Sequence, residues 1–126
     1  MGKMLLFYIP CQNKAQAKKI AGGLLDKRLI ACANFFPIES MYWWKNKIEQ
    51  DKEVVIIAKT LARNHDKATI ARTYDKIKKE VLKLHSYSKP CIIALEVDKV
   101  NKEYESYLKQ ELEGWIWKKF LVGGTK

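Results

Sequence analysis

The sequence predicts an α+β sandwich built from a single domain, residues 1–126, with strands and helices in the order β-α-β-β-α-β. Three observations carry this. The chain is 126 residues long, which suits one domain with a sizeable core. Apolar residues alternate between strand-like and helical spacing along it. Two long β-rich runs, 30–44 and 52–60, are separated by a short polar turn and so form a hairpin.

The first strand is Met4 to Ile9 (MLLFYI). It is apolar throughout, which places it centrally with both faces buried, and Pro10 is expected to stop it. Asn13 with Gln16 has capping-box spacing, and Ala17, Ile20, Ala21, Leu24 and Leu25 recur at helical intervals, so a helix is expected over Lys14 to Lys27. Gly22-Gly23 inside it suggests close packing on the sheet.

The hairpin follows, with arms Ile30 to Trp44 and Lys52 to Thr60 joined at Lys45-Asn46-Lys47. Asn46 tolerates the positive φ that a tight turn requires. Pro37 implies a bend or bulge with pairing on one side only. The first arm exceeds an ordinary strand of about 5–6 residues and so overhangs its own sheet. An overhang carrying Met41, Tyr42, Trp43 and Trp44 exposes apolar surface and unpaired backbone, which a second copy of the chain would cover.

Leu61 to Ala68 is polar and turn-rich, with Asn64 or Asp66 as the cap of a second helix. Ile70, Tyr74, Ile77, Val81 and Leu84 form its apolar stripe, and Lys76, Lys78, Lys79, Glu80 and Lys83 lie away from the stripe's centre. The segment His85 to Pro90 breaks that helix. Cys91, Ile93, Leu95 and Val97 then alternate with Ile92, Ala94 and Glu96 as a last strand with one better-buried face. Asn101 opens a third helix with Tyr104, Tyr107, Leu108 and Leu112, ending near Gly114. The tail Trp115 to Val122 is expected to be an extra edge strand or an arm packed on a neighbouring subunit, in preference to a membrane patch. The whole order is the split β-α-β arrangement called ferredoxin-like.

Composition excludes several function classes. The net charge of +10 favours anionic partners, but the lysines are spread along helix faces beside acidic residues, as on a solvated surface. Cys11, Cys32 and Cys91 are widely spaced, with no CxxC, so neither a disulfide framework nor a zinc knuckle is indicated. Cys32 and Cys91 are expected to be buried thiols. No apolar run suits a signal segment or a membrane span, and the chain reads as cytoplasmic. Nor is there a GxSxG, HExxH or phosphate-loop pattern, so no reaction is supported and an enzyme is not expected.

Several ordered motifs are specific. Arg28-Leu29-Ile30-Ala31-Cys32-Ala33-Asn34, then Ser40 to Glu49 (SMYWWKNKIE), Glu53 with Lys59-Thr60, His85-Ser86-Tyr87 with Pro90, and Asn101 with Tyr104 and Tyr107 together resemble the CutA family of divalent-cation tolerance proteins. The likeness covers roughly Met4 to Leu108. It implies a ferredoxin-like subunit in a homotrimer whose long hairpins wrap neighbouring subunits, with Tyr42, Trp43, Trp44 and Ile48 at the trimer interface. It also implies a part in tolerance of copper and other divalent metals, kinship with PII-like signalling proteins and, in animals, a role in acetylcholinesterase localisation. Binding or sensing is implied, not catalysis. The chain departs from the family pattern at Asn46, where a Gly is usual, at Ser86, where a Pro is usual, and at Pro10 and Gln12, where the proline comes two places early. Between Thr60 and His85 it is longer by about nine residues, an insertion of small entropic cost in a surface loop.

Of the copper ligands proposed in the family, only His85 matches. Ile9 and Leu84 stand where a Cys and a second His would be, and Cys11 is the substitute thiolate. Thiolate and imidazole both suit copper, which makes His85 and Cys11 the candidate metal ligands and copper or another divalent cation the candidate cofactor. The family's polar and aromatic motif positions fall on Lys59, Glu53, Tyr42, Trp44, His85, Tyr87 and Tyr104, implying a ligand cleft at subunit boundaries. A buried Lys59 there would favour a small anion. The competing reading pairs Glu53 with Lys59 and uses the aromatics to fill the interface. A different class, the basic RNA-binding domain, shares the topology but needs aromatic RNP motifs that are absent, so nucleic acid is not an expected partner. A protein-anchoring scaffold is a further alternative.

Overall fold

In the computed structural model, which describes residues 2–114, four strands and three helices follow the expected order: β1 (Lys3–Cys11), α1 (Lys14–Asp26), β2 (Cys32–Trp44), β3 (Lys47–Ala62), α2 (Lys67–Leu84), β4 (Ile93–Glu96) and α3 (Lys102–Lys109). The chain continues from α3 into a wider helical turn, Gln110–Gly114. The sheet is antiparallel throughout, in the order β2-β3-β1-β4. This is the ferredoxin-like arrangement. The expected tail element at Trp115 to Val122 lies outside the described residues.

Each face of the sheet is covered differently. Leu5, Phe7, Ile9 and Cys11 of β1 alternate onto the face packed by Ala17, Ile20 and Leu24 of α1 and Ile77 and Val81 of α2. On the opposite face α3 covers one end only, where Leu108 meets Met4 and Leu61. Beyond it Ile93 and Leu95 stay exposed.

α1 is capped as its sequence suggests: the Asn13 carboxamide oxygen accepts from the Gln16 N–H at 2.9 Å. The Gln16 side chain does not close the box. It donates to the Leu84 carbonyl and accepts from the Ser86 N–H, tying α1 to the end of α2. The close packing expected at the glycine pair is against α2, not the sheet: a Cβ on Gly23 would lie 2.7 Å from Leu84 Cδ1, whereas Gly22 faces open space. Asp66 is the cap of α2, accepting from the Thr69 N–H at 2.8 Å.

Three further expectations are corrected. Pro10 does not end β1. It lies opposite Val55 of β3 and past the last β4 pair at Tyr8, on a stretch of edge where a missing N–H is tolerated. Leu61 and Ala62 belong to β3 and are buried, so only residues 63–66 remain as the loop before α2. Glu80 is buried and bridged by Lys27 at 2.8 Å. At β4 the better-buried face is that of Ala94 and, just before the strand, Ile92, while Ile93 and Leu95 are exposed.

Candidate functional site

The hairpin register fixes the site. β2 and β3 pair without interruption from Cys32↔Lys59 to Trp44↔Lys47, so Pro37 introduces no bulge. As the sheet's edge strand β2 pairs on one side only, and its proline is accommodated there. The turn is the two residues Lys45 and Asn46, both at positive φ (51° and 65°), the backbone of a type I′ hairpin. β1 reaches only to Val54 of β3. The pairs from Ile38↔Glu53 to Trp44↔Lys47 therefore form a two-stranded ribbon projecting beyond the sheet.

Directly opposed residues share a face of the ribbon. Trp43 with Ile48 and Met41 with Gln50 occupy one, and Trp43 is 72% exposed. Ser40 with Asp51, Tyr42 with Glu49 and Trp44 with Lys47 occupy the other. This second face walls a cleft of about 720 Å³, closed across from it by Tyr87, Ser88, Lys89 and Cys91, with Pro10 also lining it.

The cleft is organised around Glu53. Its Oε1 accepts from Ser40 Oγ at 2.6 Å and its Oε2 from Tyr87 Oη at 2.7 Å. Beside it the Tyr42 hydroxyl donates to Asp51, a bond that, with burial and the neighbouring carboxylates, pushes the phenol pKa up to about 12. Burial and the bond to Glu53 raise that of Tyr87 too. The row Glu49, Asp51, Glu53 gives the cleft negative charge, and Tyr42, Trp44 and Tyr87 give it aromatic walls. Such a site suits a cationic guest that can also lie against aromatic faces.

His85 braces this cleft from behind. Its Nε2 meets the Pro10 carbonyl at 2.9 Å and its Nδ1 faces the Tyr87 N–H at 3.1 Å. The carbonyl can only accept and the amide can only donate, which fixes the Nε2–H tautomer with both nitrogens occupied. The ring lies 4.8 Å from that of Tyr87. Cys11 points into the core, fully buried, and its thiol pKa rises to about 12, through burial first and the Glu53 charge second. The candidate ligands thus offer no free imidazole lone pair and no accessible thiolate. Among the described residues no group of three or more His, Cys, Asp or Glu could hold a metal ion.

Within one chain the seven expected cleft residues do not come together. Tyr42, Trp44, Glu53 and Tyr87 line the cleft and His85 supports it. Lys59 and Tyr104 lie elsewhere, the Lys59 ammonium 5.4 Å from the Tyr104 ring centroid under α3. Burial, followed by a hydrogen bond with Cys32, lifts the Tyr104 hydroxyl to about 12. Glu53 and Lys59 are not a pair: Glu53 is held by the two hydroxyls. Of the cysteines expected to be buried, Cys32 is half-buried and Cys91 is exposed at the cleft. Sequence reading missed Ser40, Glu49, Asp51 and Lys89. The first three share the parity of Glu53 about a turn at Lys45-Asn46, which was the available signal.

Comparisons with known proteins agree with the fold. The family model for the CutA1 divalent ion tolerance protein matches residues 5–111. The divalent-cation tolerance protein CutA of Thermotoga maritima is 39% identical over 86% of this chain and 99% of its own length. That of Archaeoglobus fulgidus is 35% identical over 84% and 95%. Among solved structures, the periplasmic divalent cation tolerance protein CutA from Archaeoglobus fulgidus superposes with a TM-score of 0.75 at 34% identity, covering 90% of this chain and all of that one. CutA1 from Pyrococcus horikoshii gives 0.75 at 35% identity, covering 86% and 98%.

Proposed function

The chain belongs to the CutA1 divalent ion tolerance family, and on that premise we propose that it serves divalent-cation tolerance, copper included, as a homotrimeric, PII-like binding protein and not as an enzyme. The observation that carries this reading is the ribbon: paired backbone projecting past the sheet, with Trp43 and Ile48 bare on one face and the Glu53 cleft on the other. A free-standing two-stranded ribbon is marginal in water, so neighbouring copies laid along it would stabilise it. They would also narrow the cleft. A cation entering there would meet the row Glu49, Asp51 and Glu53, and donors from a second copy would complete its coordination. The proposed compartment is the reducing cytoplasm, in keeping with three cysteines that are all free thiols; cell fractionation tests it.

Light scattering is expected to give three times the 14.7 kDa of one chain, and a mass of one chain would overturn the assembly. Copper(II) titrated by calorimetry and Trp fluorescence should bind the wild type and bind Glu53→Gln more weakly, since that change removes the charge at the cleft's centre. His85→Ala should lower the melting temperature, because it unties Pro10 from Tyr87, while leaving the copper isotherm unchanged. Equal isotherms for wild type and Glu53→Gln would remove the cleft from metal binding, and a loss confined to His85→Ala would restore His85 as a ligand.

A further inference from the structure

A second hollow, of about 320 Å³, opens at the opposite end of β3 from the hairpin cleft, between the end of that strand, the first turns of α2 and residues 112–113. Four cations line it: Arg28, Arg63, Arg72 and Lys76. The acidic side chain in its wall is Glu113. The cations come from three separate stretches, the loop after α1, the loop after β3 and two successive turns of α2, so local sequence does not explain their convergence.

Their partners leave most of this donor capacity unused. Arg28 is committed, its Nη1 donating to the Glu111 carbonyl at 2.7 Å and lying 3.3 Å from Glu111 Oε1. Arg72 spends one nitrogen on Thr69 Oγ1 at 3.2 Å. Asp66, held by the Thr69 N–H and hydroxyl, acts on Arg72 through its charge without forming an ion pair with it. Arg63 and Lys76 have no partner among the described residues. The Thr73 hydroxyl, which donates to the Thr69 carbonyl at 2.9 Å, can still accept. Leu29 and Leu112, both only partly buried, add apolar surface to the lining.

We infer that this hollow is a binding site for a small phosphomonoester, with Arg63, Arg72 and Lys76 holding the phosphate and Leu29 and Leu112 receiving a short carbon skeleton. Guanidinium forks match phosphate oxygens in pairs. A dianion with three peripheral oxygens can engage three separately placed cations, whereas a carboxylate is satisfied by one fork. The volume is at the lower end of the roughly 300–1,000 Å³ typical of small-molecule sites, which limits the guest to one phosphate and a small appendage. The site is independent of the hairpin cleft and of any metal.

Calorimetry with inorganic phosphate and with glycerol 3-phosphate, against acetate and sodium chloride at equal ionic strength, tests it. Both phosphates should bind the wild type, glycerol 3-phosphate more tightly, and each of Arg63→Gln and Arg72→Gln should weaken them by on the order of tenfold. Lys76→Gln should weaken them too. The pair Lys18→Gln and Lys19→Gln, on the exposed side of α1, removes as much charge as the two arginine changes and should leave affinity unchanged. Melting curves in chloride confirm folding of each variant. Equal loss in the α1 control, or equal heats from acetate, would overturn the site in favour of diffuse attraction to a basic surface.

Discussion

Glu80 shows how one residue's surroundings govern its effect on stability. It lies on α2 beneath Lys27, the residue that caps α1, with Lys83 3.7 Å away on its own helix. The hydrogen bond from Lys27 leads the causes that hold its carboxyl below the ordinary 4.5, with burial opposing. A carboxylate whose folded pKa is depressed contributes stability that is complete above its unfolded value and is lost as pH falls through the folded one. Melting temperature followed down from neutral pH should therefore decline below about pH 4.5 in the wild type, and more shallowly in Glu80→Gln, which carries no charge to lose. An identical acid limb in both would show that Lys27 contributes nothing through Glu80. Arg28 makes a different compromise. It holds φ 56° at the position after the end of α1, where its N–H bonds the Leu25 carbonyl and that of Leu29 bonds Leu24. Glycine usually fills this place. Arg28 retains it with a guanidinium that reaches across to Glu111.

The hairpin is the element in which sequence and structure agree most and where their differences are most instructive. Its turn could be placed because Asn46 tolerates positive φ, yet Lys45 adopts it as well, at roughly 1 kcal/mol or more for an ordinary side chain. Lys45→Asn should therefore raise stability by a few tenths to about 1 kcal/mol, measured as the urea midpoint at unchanged slope. The second arm begins at Lys47, not Lys52, because the charged run Lys47 to Lys52 carries no strand-like apolar pattern and is ordered by pairing with β2 alone. Alternation reveals that a strand has two faces without saying which one the helices cover, which is why the buried face of β4 was not assignable from it. The cleft was half legible for a related reason. Glu53 and Lys59 share a face of β3, but six residues of extended chain separate them by about 20 Å, so motif positions that look like one site belong to two ends of the sheet. Register counted outward from the turn would have grouped Ser40 and Asp51 with Glu53. The basic hollow could not be read at all, since its cations meet only through the packing of α2 beside β3.

At the scale of the whole molecule, the sheet face opposite α1 and α2 remains incompletely covered. α3 covers the end at Met4 and Leu61, and the segment Tyr87 to Cys91 closes the hairpin cleft. Between them Leu95 pairs with Leu6 and Ile93 with Tyr8, a strip that leaves Leu95 55% exposed. An apolar strip running onto an apolar ribbon is the kind of surface that marks protein contact, and the two together offer a route to the area of roughly 1,200–2,000 Å² that a stable interface needs. If copies meet along the sheet face, Leu95→Asp places a charge in the contact without touching the core, because the side chain points away from Ile92 and Ala94, which pack inward. Light scattering should then shift from three chains toward one, and melting temperature should become strongly dependent on protein concentration. Gln50→Asp, an equal charge on the exposed ribbon face beside Met41, distinguishes the two surfaces. If it dissociates the assembly and Leu95→Asp does not, the ribbon alone holds the copies together and the sheet face is free for another partner.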